Sequence, residues 1–201
     1  MALKGKRKIV CLTAATAPMA AALDTQCDLL LIGDSLAMTI YGLESTAEVT
    51  VDIMIWHGKA VVSRAKTALV IVDLPAGSYE KSLAQARYLA QKIMAETGAD
   101  GVKLEGGQSM RKQVASLTAA GIPVMGHIGL LPQQVASPKL FAVVGRTEES
   151  IAQLYLDKEA LVDAGAFAIV CDGMVATVAR SIALSCPVPT IGIGASCACD
   201  G

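Results

Sequence analysis

Leu29-Leu30-Leu31-Ile32-Gly33-Asp34 is the stretch that decides the fold. It is an apolar run of strand length with an acid where the strand should stop. The same form returns in Leu69-Val70-Ile71-Val72-Asp73, Val102-Lys103-Leu104-Glu105, Val124-Met125-Gly126-His127 and Ala168-Ile169-Val170-Cys171-Asp172. Each run delivers a carboxylate or an imidazole to its C-terminal end. In parallel α/β folds that edge is where active sites are built.

Working outward, strand-like runs alternate with helix-like segments along the whole chain. Strands are expected at 9–13, 28–34, 68–73, 101–105, 123–127, 167–172 and 189–194. Helical patterns fill 18–25, 49–64, 79–97, 108–120, 148–164 and 174–185, with Gly98, Gly121 and Gly165 as C-terminal stops. Strict alternation implies a parallel sheet covered by helices. A repeat of about 25–30 residues suits a (β/α)8 TIM barrel, with an open doubly wound sheet as the alternative. Only seven strands are readable, so the expectation is one barrel domain over 1–201 that lacks its C-terminal strand and helix. An unclosed edge would be costly.

Composition fits one large core. Of 201 residues, 53% are hydrophobic and 17% charged, which excludes disorder. The formal net charge of −1 gives no basic patch for nucleic acid and no polybasic anchor for a membrane. The basic start, Met1–Lys8, leads into an apolar stretch broken by Thr13, Thr16 and Pro18, and reads as a solvated N-terminus. No apolar run is long enough to span a bilayer. The six Cys sit mostly in apolar surroundings, so reduced thiols and a cytoplasmic setting are the default. Cys197-Ala198-Cys199 has no second pair to complete a zinc site.

Residues two apart on a strand share a face. That groups Leu30 and Ile32 with Asp34, Leu69 and Ile71 with Asp73, Lys103 with Glu105, Met125 with His127, and Val170 with Asp172. If those faces point inward, the ionisable groups ring the barrel mouth above an apolar plug. Asp34, Asp73 and Glu105 are hard oxygen donors, which suits Mg²⁺, one or two binding directly and the rest through water. Singly each has a plainer role: Asp34-Ser35 as a helix cap, Asp73-Leu74-Pro75 as a turn, Glu105 as a partner for Lys103. Gathered at one edge, unpaired carboxylates are too costly to keep without a cation or a job. Lys103 is either half of an ion pair with Glu105 or Asp73, or the cation that holds a substrate carboxylate. His127, between glycines that open space, is expected to hydrogen-bond a substrate, whereas His57 reads as structural. Gly192-x-Gly194 is a weak phosphate-loop fragment.

Several phrases together resemble ketopantoate hydroxymethyltransferase, the 3-methyl-2-oxobutanoate hydroxymethyltransferase family. They are Ile32-Gly33-Asp34-Ser35-Leu36-Ala37-Met38, Asp73-Leu74-Pro75, Val102-Lys103-Leu104-Glu105-Gly106-Gly107, Gly126-His127-Ile128-Gly129-Leu130-Leu131-Pro132-Gln133 and Ile191-Gly192-Ile193-Gly194-Ala195. The similarity runs from about Lys8 to Gly201. The resemblance implies a (β/α)8 barrel of the phosphoenolpyruvate/pyruvate superfamily, bound Mg²⁺, 5,10-methylenetetrahydrofolate as co-substrate, a 2-oxo acid acceptor and a homo-oligomer, commonly a decamer. It makes Asp34, Asp73 and Glu105 the metal-site acids, and Asp34, Ser35, Asp73, Lys103 and His127 the contacts to the keto acid. The family's general base is a Glu at the end of strand six. Counted without gaps from Gly165-Ala166 to Gly192-x-Gly194, that position is Asp172.

The chain also departs from the family. Asp in place of Glu at the base shortens the arm by one methylene, on the order of 1.5 Å, and a misplacement of that size can cost about 100-fold in rate. Thr13-Ala14-Ala15-Thr16 stands where the family usually has Thr-Ala-Tyr-Asp. Ala37 replaces a usual Gly, and Ser137-Pro138-Lys139-Leu140-Phe141 differs from the expected Gly-rich loop. Two alternatives therefore stand beside the transferase: a degenerate barrel that binds a keto acid without turnover, and a Mg²⁺-dependent lyase or mutase of the same superfamily.

Overall fold

The seven expected strands form, each parallel to its neighbours in chain order. The computed structural model describes residues 3–135 and 137–201. The strands are β1 (Cys11–Thr13), β2 (Leu29–Ile32), β3 (Leu69–Asp73), β4 (Gly101–Lys103), β5 (Val124–Gly129), β6 (Ala168–Asp172) and β7 (Thr190–Ile193). Between them run α1 (Ala17–Leu23), α2 (Leu36–Thr39), α3 (Val51–Val62), α4 (Leu83–Thr97), α5 (Arg111–Ala119), α6 (Glu148–Asp163) and α7 (Ala176–Ser185).

Local chemistry sets the helix bounds. Thr50, Ser82 and Thr147 accept hydrogen bonds from the backbone N–H three residues on, starting α3, α4 and α6. The expectation of helix from Tyr79 fails because Ser82 caps later and the Tyr79 side chain turns into the barrel mouth. α4 ends at Gly98, whose φ of 72° is the left-handed conformation that side chains resist. The segment 108–120 begins as a 3₁₀ turn (Gln108–Met110) before α5. The short α2 is not among the expected helical segments, but it starts at Ser35, where Asp34-Ser35 as a helix cap is one reading of the sequence.

Alternate strand side chains separate two apolar clusters. Leu30, Ile32, Val70, Val72, Val102, Leu104, Val124 and Ile169 pack outward under the helices. Leu29, Leu31, Ile71, Met125, Ala168, Val170 and Ile191 fill the interior as the plug. On β2 this overturns the expected face. Leu29 and Leu31 point inward, while Leu30 and Ile32 point to the helices. The strand ends at Ile32, and the turn at Gly33 breaks the parity that would have sent Asp34 outward.

The sheet curls until β7 approaches β1. Asp200–Gly201 lies between them: Gly201 N–H donates to Thr190 O (3.0 Å), Gly192 N–H to Gly201 O (2.9 Å) and Ile9 N–H to Asp200 O (2.7 Å). The seam is thus bridged at its base, where the sequence suggested a bare edge. The basic start is not a free tail either. Lys4 pairs with Asp200 at 2.6 Å and Arg7 with Asp28, because these acids lie on the barrel's N-terminal end. No helix among the described residues is long and apolar enough to cross a membrane.

Candidate active site

Five strand ends bring their ionisable groups to one mouth. Asp73 and Lys103 stand opposite each other in the β3–β4 register, and Lys103 Nζ donates to Asp73 Oδ1 at 2.6 Å. Asp73 Oδ2 accepts the Asp34 backbone N–H at 3.2 Å. Asp34 therefore sits beside Asp73 despite its altered parity. Glu105 lies two residues past Lys103 on the same inward side. His127 follows Met125 inward on β5, and Asp172 closes β6. Asp34, Asp73, Lys103, Glu105 and His127 are all buried, and Asp172 is half-buried.

Of the two partners open to Lys103, Asp73 takes the ion pair and Glu105 does not. His127 lies between two acids without bonding either. Its Nδ1 is 3.7 Å from Glu105 Oε1, and its Nε2 is 3.6 Å from Asp172 Oδ2. Both distances are too long for a hydrogen bond. Neither nitrogen has a partner among the described residues.

Burial governs the electrostatics. It pushes the Glu105 carboxyl up to about 8. Burial and the neighbouring Asp73 carboxylate raise Asp34 to about 6, against the pull of Lys103 and of hydrogen bonds from Gln133 and Thr46. Burial raises Asp172 to about 6. Lys103 goes the other way: burial would lower it, but Asp73, Glu105 and Asp34 together hold it above the usual lysine range. Burial and the Lys103 charge push His127 well below its ordinary range, so it is a neutral imidazole.

Four acids thus face one lysine and one neutral histidine, a donor set with negative charge to spare. No group of three or more His, Cys, Asp or Glu among the described residues converges as a ready metal cage. Asp73 is engaged by Lys103 and by backbone, and Glu105 accepts the Gln133 backbone N–H. These acids suit a cation that keeps several waters and takes further oxygens from a substrate, as Mg²⁺ does. They do not suit direct ligation by three carboxylates.

Ser35 stands beside the acids at the β2 end: a side chain at Gly33 would meet Ser35 Oγ at 3.0 Å and Asp73 Oδ2 at 3.6 Å. Ser35 opens α2, half-buried, on a pocket of about 340 Å³ lined also by Ala14, Ala15, Gly33 and Leu36. His57 is structural as expected: Nδ1 bonds Ala15 O, and Nε2 is 2.7 Å from the Tyr41 hydroxyl. The glycines around His127 make no room for a ligand. A side chain at Gly126 would meet Leu161 at 2.5 Å, and one at Gly129 (φ 101°) would meet Asp172 O at 2.1 Å. They let α6 and β6 approach. Gly192 likewise backs onto Cys199 Sγ at 3.1 Å.

Two residues of the mouth have no signal in the sequence reading. Tyr79 is buried and donates its hydroxyl proton to Gln133 Oε1 at 2.6 Å. Gln133 reaches Asp34 across 99 residues of chain. Gln133 ends one of the quoted phrases, yet nothing local says where its amide goes.

A parallel (β/α) barrel with acids, a lysine and a neutral histidine at its C-terminal mouth defines the class: a barrel enzyme with its polar site at the strand ends. Comparison with known proteins narrows this. A family model described as Ketopantoate hydroxymethyltransferase matches residues 1–201. The 3-methyl-2-oxobutanoate hydroxymethyltransferase of Rhizobium rhizogenes is 54% identical over 200 residues, covering 100% of this chain and 73% of that protein. Its Brucella suis counterpart is 52% identical with the same coverage. The chain belongs to the ketopantoate hydroxymethyltransferase family. Among solved structures, phosphonopyruvate hydrolase superposes with a TM-score of 0.70 at 16% identity, covering 95% of this chain and 68% of that one. A 2,3-dimethylmalate lyase of the PEP mutase/isocitrate lyase superfamily gives 0.62 at 17% identity, covering 94% and 68%. At such identities the likeness concerns the fold, and it supports the barrel over the open sheet.

Proposed function

We propose that this chain transfers a hydroxymethyl group from 5,10-methylenetetrahydrofolate to 3-methyl-2-oxobutanoate, giving ketopantoate for pantothenate synthesis. The observation that carries the reading is His127: a buried, neutral imidazole with both nitrogens unpartnered, between Glu105 and Asp172 and beside Lys103. Buried polar atoms left this way call for a ligand.

Lys103 supplies the fixed positive charge that draws and orients the substrate carboxylate, with Asp73 holding its ammonium in place. Neutral His127 donates one N–H to a substrate oxygen. Ser35, at the edge of the mouth, contacts the keto acid from the β2 side. Asp172 takes the C3 proton; a carboxyl near 6 is ionised at neutral pH and more basic than a free aspartate. Asp34, Asp73 and Glu105 would hold Mg²⁺, one or two of them directly and the rest through water. When bound, Mg²⁺ supplies a Lewis acid for the substrate's keto group. Association of copies into a homo-oligomer and a cytoplasmic setting, which six free thiols suit, belong to the same proposal.

The test is proton NMR of 3-methyl-2-oxobutanoate in D₂O with the protein and Mg²⁺. Loss of the C3 proton signal reports enolisation without folate. The expected result is exchange that Asp172→Asn lowers by about 10²–10⁴-fold. Keto-acid binding with no exchange would point instead to a barrel that binds without turnover.

A further inference from the structure

Gln133, through its carboxamide and its backbone N–H, joins the ends of β2, β3 and β4 to its own turn after β5. It sits in the 3₁₀ turn Pro132–Gln134 that follows β5. Its Nε2 donates to Asp34 Oδ2 at 2.8 Å and to Leu74 O at 3.0 Å. Its Oε1 accepts from the Tyr79 hydroxyl at 2.6 Å, and its backbone N–H donates to Glu105 Oε2 at 3.0 Å. Tyr79 is anchored in turn, accepting the Glu105 backbone N–H at 3.3 Å.

These partners fix the orientation of the amide. An ionised carboxylate and a main-chain carbonyl only accept, so the NH₂ must face Asp34 and Leu74. The carbonyl oxygen then faces the one donor left, Tyr79. A Glu at this position would set oxygen against oxygen on the Asp34 side, and an apolar side chain would take the donor from Leu74 O and Asp34 Oδ2 and leave Tyr79 only its 3.3 Å contacts to the Glu105 backbone.

The consequence concerns which oxygens remain free. Gln133 occupies Asp34 Oδ2 with its side chain and Glu105 Oε2 with its backbone. Glu105 Oε1 is left turned toward His127, and Oδ1 is the Asp34 oxygen that Gln133 does not take. We infer that Gln133, braced by Tyr79, is a positioning residue that selects which oxygens of Asp34 and Glu105 are left for other partners. It sets where a divalent cation and the substrate oxygens can sit. This rests on the proposed reading of Asp34 and Glu105 as cation-site acids. Outer partners of this kind are worth about 10–100-fold in metal affinity.

The test measures Mn²⁺ binding by electron paramagnetic resonance on the whole chain, with thermal melting and substrate exchange alongside. Gln133→Met keeps length and volume while removing both polar ends. The expected result is Mn²⁺ affinity weakened about 10–100-fold with folding retained, and Tyr79→Phe weakened by less. Removing both should cost less than the sum, since they act through one amide. Unchanged Mn²⁺ affinity in Gln133→Met overturns the inference; if that variant does not fold, Tyr79→Phe is judged by the same criterion. If the unsubstituted protein takes up no Mn²⁺, the cation reading fails. The crystal structure of Gln133→Met then decides the positioning claim. Rotated Asp34 and Glu105 carboxylates uphold it, and unmoved ones overturn it.

Discussion

The two halves of the barrel mouth use the same kinds of residue and leave them in opposite states. On the β2–β4 side, Asp73 binds Lys103 and the Asp34 backbone N–H at 2.6–3.2 Å, with Gln133 on Asp34 Oδ2 at 2.8 Å. On the β4–β6 side, Glu105, His127 and Asp172 approach only to 3.6–3.7 Å, and the imidazole bonds nothing among the described residues. A saturated half supports the fold, because each group there is the partner of another. An unsatisfied half gives up stability for readiness, and a substrate restores what is missing. Opposite responses to mutation should follow.

The largest effect comes from breaking the saturated half. Lys103→Met keeps the length of the side chain and deletes its charge, leaving Asp73 and Asp34 buried without their cation. Loss of one partner of a buried pair costs about 3–5 kcal/mol. Urea denaturation should show a loss of that order, and keto-acid binding should vanish with it. Adding Asp73→Asn should recover part of the stability but none of the binding. A midpoint equal to that of the parent chain would show that the ion pair does not hold this half together.

Much of this contrast is legible in the sequence, and the rest fails for identifiable reasons. The runs ending in Asp73, Lys103–Glu105, His127 and Asp172 place their charges correctly, because side-chain alternation holds as long as the strand does. Asp34 reaches the same mouth by another route. β2 stops at Ile32, so counting by twos gives the wrong face for Leu30 and Ile32. Gly126 and Gly129 read as space for a ligand, but Leu161 and the Asp172 carbonyl fill that space, and both contacts are tertiary. Gln133 and Tyr79 are hidden for the same reason: their partners lie on other strands, and no periodicity encodes an amide's reach. The sequence shows which groups share the mouth. It does not show which of them are satisfied, and that division separates scaffold from chemistry.

A second effect sharpens the contrast on the unsatisfied side without disturbing the fold. Asp172 is half-buried and its carboxyl lies near 6, raised by burial. The base works ionised, so the rate of C3 exchange should rise with pH through about 6 and level off above it. For stability the sign reverses. The folded state holds the proton more tightly than the unfolded chain, so this group's contribution is largest below the unfolded value near 3.8 and fades as pH rises through about 6. Asp172→Glu extends the arm by one methylene and should raise exchange by up to about 100-fold if reach is what limits it. A rate flat in pH across this range would remove Asp172 from the role of base.

The smallest expected change in stability, and the most telling in sign, is at His127. Its nitrogens were desolvated on folding and gained no hydrogen bond among the described residues. His127→Leu replaces that cost with apolar volume beside Met125 and Val170. Replacing an unsatisfied buried polar group by an apolar one is nearly neutral or stabilising, by about 1 kcal/mol at most. The urea midpoint should therefore hold or rise slightly, while the keto-acid Kd rises about 10-fold, the worth of one good hydrogen bond to a charged ligand. Lys103→Met and His127→Leu would then both lose the substrate while moving stability in opposite directions. If His127→Leu instead destabilised the chain as Lys103→Met does, the imidazole would be part of the support, and the mouth would have no unsatisfied half.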